Sequence, residues 1–309
     1  MKRLLIPLCF LLFVAATCER SVDLGIEEPD PRLVVISNFT SNMEMQVEVT
    51  RSRYIEDATP KTYILDATVE IFQGEDFIEQ FELVSGPAVP SPFYTSTDFV
   101  PEVNVLYNIK VDAPGFDPVM AQSKIPAPIE IGALQVKDLE QKPGTNEGEI
   151  SYSYTVLLTF FDPAEEKNYY HLNFYQQIHN IQRLEGVITI LSSYLEQIDF
   201  SPINDNNSSI AFFNGGILFE DGDLNGNAIT NTFVLNKTIQ SETEQLGQMF
   251  VELRSVSEEY YRYYNSLSRQ QNSGGPPFSE EVILYNNIEN GLGVFAGYNM
   301  DIDSIQVIQ

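Results

Sequence analysis

The chain has no tryptophan, two cysteines and two histidines, and only 17 lysines and arginines against 44 aspartates and glutamates. Each shortage removes a class of function. Nucleic-acid binding needs clustered cations, and a formal net charge of −27 repels phosphate instead. The same deficit leaves no polybasic stretch for anionic lipid head groups. Both cysteines, Cys9 and Cys18, lie near the amino end, so nothing downstream supplies a disulfide, a thiolate nucleophile or a cysteine metal site. The two imidazoles, His171 and His179, have no short ligand spacing for zinc, and no G-x-S-x-G elbow presents a serine. His171 falls on the polar parity of a strand. It reads as a satisfied surface histidine, the alternative being a Ser-His-Asp site assembled in space. The missing tryptophan counts against a sugar cleft, although 16 tyrosines and 20 phenylalanines offer other rings.

Long apolar runs are absent too. The run from Leu4 to Ala16 spans 13 residues, short of the ~20 that a membrane-crossing helix needs. It follows Met1-Lys2-Arg3 and precedes Ala15-Ala16-Thr17-Cys18. A positive start, a short apolar stretch and small residues before a cysteine describe a secretory signal of the bacterial lipoprotein kind. Residues 1–17 are then removed and Cys18 receives the lipid. Several acyl chains on one residue make a durable anchor, at about 0.8 kcal/mol per buried CH₂. Thr17 is less usual at its position than glycine or alanine. Residues 18–31 are acidic, polar and proline-containing, and read as a tether. Within it, Glu19 and Asp23 fit either a surface-export signal or an ordinary acidic linker.

The hydrophobic fraction of 43% supports a full core, so the rest of the chain should fold. Its periodicity is mostly two. Tyr107, Ile109 and Val111 alternate with Asn108, Lys110 and Asp112, and Gly74-Glu75-Asp76 separates two alternating runs as a hairpin turn does. Residues 32–127 are predicted to form an immunoglobulin-like β-sandwich, closed by Pro126-Ala127-Pro128. Residues 128–309 are predicted to form a larger β-rich domain. There Tyr152, Tyr154, Val156 and Leu158 share one parity, and Tyr170, Leu172 and Phe174 oppose His171, Asn173 and Tyr175. One segment has helical period. Ser257 is a capping residue, Glu258 and Glu259 suit the first turn, and Tyr260, Tyr264 and Leu267 fall on one face. A single tyrosine-rich helix is predicted near 257–272, ended by Gly274-Gly275-Pro276-Pro277. Its rings suit packing; the alternative is an exposed interface made by Tyr260, Tyr261, Tyr263 and Tyr264, with the loops of 201–231.

Two motifs imitate ligand sites. Asp221-Gly222-Asp223-Leu224-Asn225-Gly226 places oxygens at Asp221, Asp223 and Asn225 as the start of a calcium loop does. Its twelfth position is Thr232 rather than a bidentate glutamate, and Asp-Gly and Asn-Gly are also common turn pairs. The plain turn is the expectation, with Ca²⁺ as the alternative; no other cofactor is indicated. Gly291-Leu292-Gly293 imitates a dinucleotide fingerprint, but too little chain follows to build the βαβ unit. These glycines are expected to allow close backbone approach within a strand.

The closing segment, Pro277 to Glu281 and then Asn286 to Tyr298, resembles that of an uncharacterised Bacteroidota lipoprotein family. So do the cysteine-bearing signal, Leu33-Val34-Val35, Asp66-Ala67-Thr68-Val69, Tyr107 to Val111, Phe219 to Gly226 and Ser257-Glu258-Glu259-Tyr260. Members are commonly encoded beside TonB-dependent transporters. The resemblance implies an outer-membrane, surface-exposed accessory lipoprotein with no catalytic residues. Asp303-Ser304-Ile305 matches the O-glycosylation pattern of the same bacteria, a match that three residues also make by chance. The expected function is therefore a non-enzymatic binding subunit of an outer-membrane β-barrel, most simply a TonB-dependent transporter. The alternatives are a subunit of an outer-membrane assembly or secretion machine, and a surface glycan binder or hydrolase.

Overall fold

The computed structural model describes residues 30–53, 59–164, 166–203, 210–222, 226–272 and 282–307. Cys18, the signal and nearly all of the tether lie outside them. Arg32–Ser52 and Thr59–Gln309 cluster as one unit, and the fold is that of this unit. It is mainly β with one described helix, the class that the periodicity predicts.

The strands before residue 127 behave as their alternation requires. In β1 (Leu33–Phe39), β2 (Gln46–Arg51), β3 (Thr68–Gln73), β7 (Leu106–Asp112) and β8 (Val119–Lys124), every second side chain is buried. Strand β4 (Asp76–Gln80) returns on β3 across Gly74-Glu75, with Gln73 opposite Asp76. The sheet order is β4-β3-β7-β8. Val69, Ile71, Tyr107, Ile109 and Val111 from this sheet share a core with Leu33, Val35, Val47 and Val49 from β1 and β2. Short strands β5 (Glu82–Val84) and β6 (Phe93–Thr95) extend the β1–β2 side.

The expected boundary at about 127 falls between β8 and β9 (Ile131–Pro143). Beyond it, β10 (Glu149–Phe161) lies between β9 and β16 (Ala228–Gln240), with β13 (Phe200–Pro202) on the far edge. Tyr154, Val156, Leu158 and Phe160 from β10 pack with Tyr170, Leu172 and Phe174 of β11 (Tyr169–Leu184) and with Met249, Val251 and Leu253 of β17 (Glu244–Val256).

The last strand, β18 (Leu292–Gln306), joins what the sequence divides. Its carboxyl-terminal stretch pairs antiparallel with β17, and Leu292–Gly297 pair in parallel with Val34–Phe39 of β1. One ten-stranded sheet therefore contains strands from both ends of the chain. Val294, Phe295 and Ala296 are all fully buried, because core covers one face of β18 and a helix covers the other. Phe295 completes the first core, its ring 4.6 Å from that of Phe39.

The helix, α1 (Glu258–Asn272), starts where the cap is predicted. The Ser257 hydroxyl accepts from the Tyr260 amide at 3.3 Å, and two acids fill the first turn. Ser257→Ala should cost about 1 kcal/mol of stability and lower the urea midpoint accordingly, since it strips one amide of its acceptor. A midpoint equal to the parent's would mean that the cap contributes nothing.

Candidate functional site

The tyrosines of α1 face inward. Tyr260, Tyr261 and Tyr263 are buried and Tyr264 is half-buried, so the rings pack as expected and do not form the exposed tyrosine interface that was the alternative. Tyr261 stacks on Tyr169 with ring centroids 4.7 Å apart, and Tyr264 meets Phe213 and Tyr260 at 4.7 and 4.6 Å. The helix follows β17 after one residue and must lie back on its sheet. Its large rings are the surface that this brings out of water.

That roof also explains His171, which is 4% exposed rather than on the surface. The polar parity of β11 is buried here because α1 covers it. His171 Nδ1 lies 3.0 Å from the Tyr260 hydroxyl, and Arg254 donates to that hydroxyl at 3.3 Å. Tyr260 thus accepts from Arg254 and can donate to a neutral imidazole. Burial, and then the Arg254 guanidinium, hold the His171 pKa down to about 3. Arg254 also pairs with Glu252 at 2.8 Å and lies over the Tyr298 ring at 4.8 Å. Glu252 accepts from Asn173, whose carbonyl accepts from Gln197 at 3.0 Å. A polar relay thus runs beneath the helix from Tyr260 to the root of the next hairpin. His179 stands eight residues further along β11, about 26 Å away by strand rise, and meets Ser193 instead.

The remaining sequence candidates scatter. Asp221 is buried, with its carboxylate on the Asn168 amide at 3.1 Å; burial raises its pKa. Asp223 and Asn225 lie outside the described residues. Among the described residues, no group of three His, Cys, Asp or Glu side chains is placed to hold a metal. Ser304 is half-buried inside β18, opposite Phe250 of β17. An open groove of about 730 Å³ crosses the outer face of β7 and β8, lined by Phe72, Met120, Gln122, Glu259, Tyr285 and Glu289 among others.

The most unusual surface carries none of those residues. Strand β12 (Val187–Gln197) returns on β11 through a two-residue turn, Glu185-Gly186, in which both residues have positive φ (51° and 82°). Such turns match strand twist, and glycine takes the second position without strain. All eleven residues of β12 are exposed. They include Val187, Ile188, Ile190, Leu191 and Leu195; Leu191 is 63% exposed. Apolar side chains project from both faces of the strand. The pairing of β11 with β17 ends at Asn180, but its pairing with β12 continues to Leu184, so the hairpin tip reaches past the sheet. Among the described residues, β12 pairs with β11 alone. Periodicity reading missed this hairpin, although the Glu-Gly turn and the β-branched run after it were a usable signal.

A family model described as a domain of unknown function (DUF4249) matches residues 19–302. No curated protein matches the chain. Among solved structures, the three N-terminal domains of the highly immunogenic outer capsid protein of bacteriophage RB49 match at 16% identity, over 74% of this chain and 64% of that one. The chain thus spans less than two thirds of that structure's length. The TM-score is 0.20, at which the superposition carries no argument.

Proposed function

The chain belongs to the DUF4249 family, and on that footing we propose that it is a lipid-anchored, non-enzymatic binding subunit of an outer-membrane β-barrel complex, with a TonB-dependent transporter as the partner. The observation that carries this reading is the exposed β11–β12 hairpin. A chain with a formal net charge of −27 has acidic surface enough to keep it soluble, yet it presents a contiguous apolar projection to water. Apolar patches of that kind are the mark of a surface that a partner covers. The acyl chains on Cys18 would supply the membrane attachment that the acidic surface does not.

The test is crosslinking on intact envelopes followed by purification in mild detergent. Recovery of a barrel protein, lost when Ile188 and Leu191 are both changed to aspartate, is the expected result. Recovery of no barrel would overturn the reading. Cys18→Ser should move at least ~90% of the protein from the envelope to the soluble fraction, because the lipid is then gone. Envelope retention by that variant would show that Cys18 is not the anchor.

A further inference from the structure

We infer that the groove on the outer face of β3, β7 and β8 is a carbohydrate site, and that its occupant is a short neutral oligosaccharide lying across the strands. The inference goes beyond the docking reading above and does not rest on it. At about 730 Å³, the groove falls within the roughly 300–1,000 Å³ of cavities that hold small ligands.

Strand register lays out the floor. Phe72 of β3 stands opposite Asn108 of β7, and Asn108 opposite Gln122 of β8. Glu70, Lys110 and Met120 form the neighbouring row in the same way. Both rows turn outward, because Ile71, Ile109 and Ala121 alternate with them and are buried. Beyond β8, Met120 bridges to Glu289 and begins the far wall. Asn287 ties that wall down by exchanging hydrogen bonds with the Phe295 backbone at 2.8 and 3.0 Å. Glu259, at the start of α1, accepts from Ser123 of β8 at 2.9 Å. Tyr285 completes the wall, its ring steadied by the Arg262 guanidinium 5.7 Å away. One ring therefore stands toward each end, Phe72 and Tyr285, with the carboxamides of Asn108 and Gln122 between them. Floor and wall are held before a ligand arrives, which lowers the cost of binding.

The polar groups select the occupant. Asn108 donates to the Gly74 carbonyl at 3.0 Å and keeps its oxygen as an acceptor. Among the described residues, the side chains of Gln122, Glu75 and Glu289 have no hydrogen bond or ion pair of their own. Gln122 both donates and accepts, the carboxylates accept, and Lys110 donates from beside Glu70 at 3.7 Å. Hydroxyls do both, so a polyhydroxylated ligand answers every one of these groups. A phosphate or carboxylate ligand would meet Glu75, Glu259 and Glu289 against one cation already paired. A polyamine only donates, and its ammonium groups would pass Lys110 in mid-groove. An extended peptide is recognised through its main chain at a sheet edge. Here β3 and β7 are paired on both sides and the Glu289 segment flanks β8, so the groove offers no edge. A sugar chain also suits the rings and the spacing. Its C–H faces pack on aromatic rings, and adjacent strands lie ~4.8 Å apart, close to the advance of a pyranose chain per ring. Three sugar rings would reach from Phe72 to the Tyr285 wall.

The experiment is calorimetric titration of the full chain with cellotriose, maltotriose and mannotriose, and with trigalacturonate, spermidine and tetra-alanine as competitors of other chemistry. Saturable binding of at least one neutral trisaccharide, with a Kd of about 1 mM or tighter, is expected. Gln122→Ala, at an exposed position, should weaken it about tenfold with an unchanged melting temperature. Phe72→Leu, which keeps apolar bulk and removes the ring, should weaken it about fivefold. If none of the three sugars binds, the inference fails. It fails equally if both variants bind sugar as the parent does, because the sugar is then held elsewhere, or if trigalacturonate, spermidine or tetra-alanine binds more tightly than every neutral sugar. The docking reading is separable. The variant with aspartate at both Ile188 and Leu191 should bind sugar like the parent, and Gln122→Ala should still recover a barrel from envelopes. Sugar binding with no barrel recovered removes docking alone; a barrel recovered with no sugar bound removes the carbohydrate site alone.

Discussion

Replacing Gly293 by valine is expected to destabilise the fold by ~3–5 kcal/mol, a large share of the ~5–15 kcal/mol that a domain has. Gly293 sits opposite Val35 in the parallel β1–β18 pair, with φ at 118°. A Cβ placed there would stand 2.0 Å from the Val35 carbonyl oxygen. Two costs combine. A side chain in that backbone region costs roughly 1–3 kcal/mol, and forcing atoms into a packed interior costs a further ~1–3 kcal/mol. Neither neighbour can move cheaply, because the obstruction is backbone and β18 is covered on both faces. Urea denaturation would read the change. A loss under about 1 kcal/mol would mean that the β1–β18 contact is not formed as described.

Acid should weaken the protein through His171 on the order of 4 kcal/mol. The unfolded chain protonates this imidazole near its ordinary value of 6.5, but the folded chain only near 3. Between those values the unfolded state holds more protons, so stability rises with pH. The contribution is complete above about 6.5 and is lost as the pH falls toward 3. Burial is the main cause and Arg254 the second, since a protonated ring would sit desolvated beside a guanidinium. Carboxylates also titrate over this window, so the comparison is with His171→Gln, which keeps an acceptor for Tyr260 and cannot ionise. The difference between parent and variant should widen steadily from pH 6.5 to pH 4. Parallel stability curves would show that His171 does not stay neutral in the fold.

Much of the architecture was legible in the sequence. The alternations at Tyr107–Val111 and Tyr152–Leu158 place their residues in the cores as read, because one strand face must leave water. The Ser257 cap and the helical spacing after it locate α1, since local hydrogen bonds decide both. The glycines at 291 and 293 were read as backbone clearance rather than a nucleotide loop, and Gly293 has that role against Val35. His171 was misread because strand parity reports which residues share a face, not what covers that face. The inward tyrosines follow from the same roof.

By itself, then, the sequence determined the alternation of strands such as Leu106–Asp112 and Glu149–Phe161, the start of the helix, and a net charge that turns phosphate away. Only the tertiary structure decided that residues 34–39 meet residues 292–297, that His171 is sealed beneath Tyr260, and that the apolar run of β12 stands in water. The reason is physical. Propensity and periodicity act over a few neighbouring residues. A parallel pairing across more than 250 residues, or the exposure of an apolar strand, depends on which distant surfaces the closed fold leaves available.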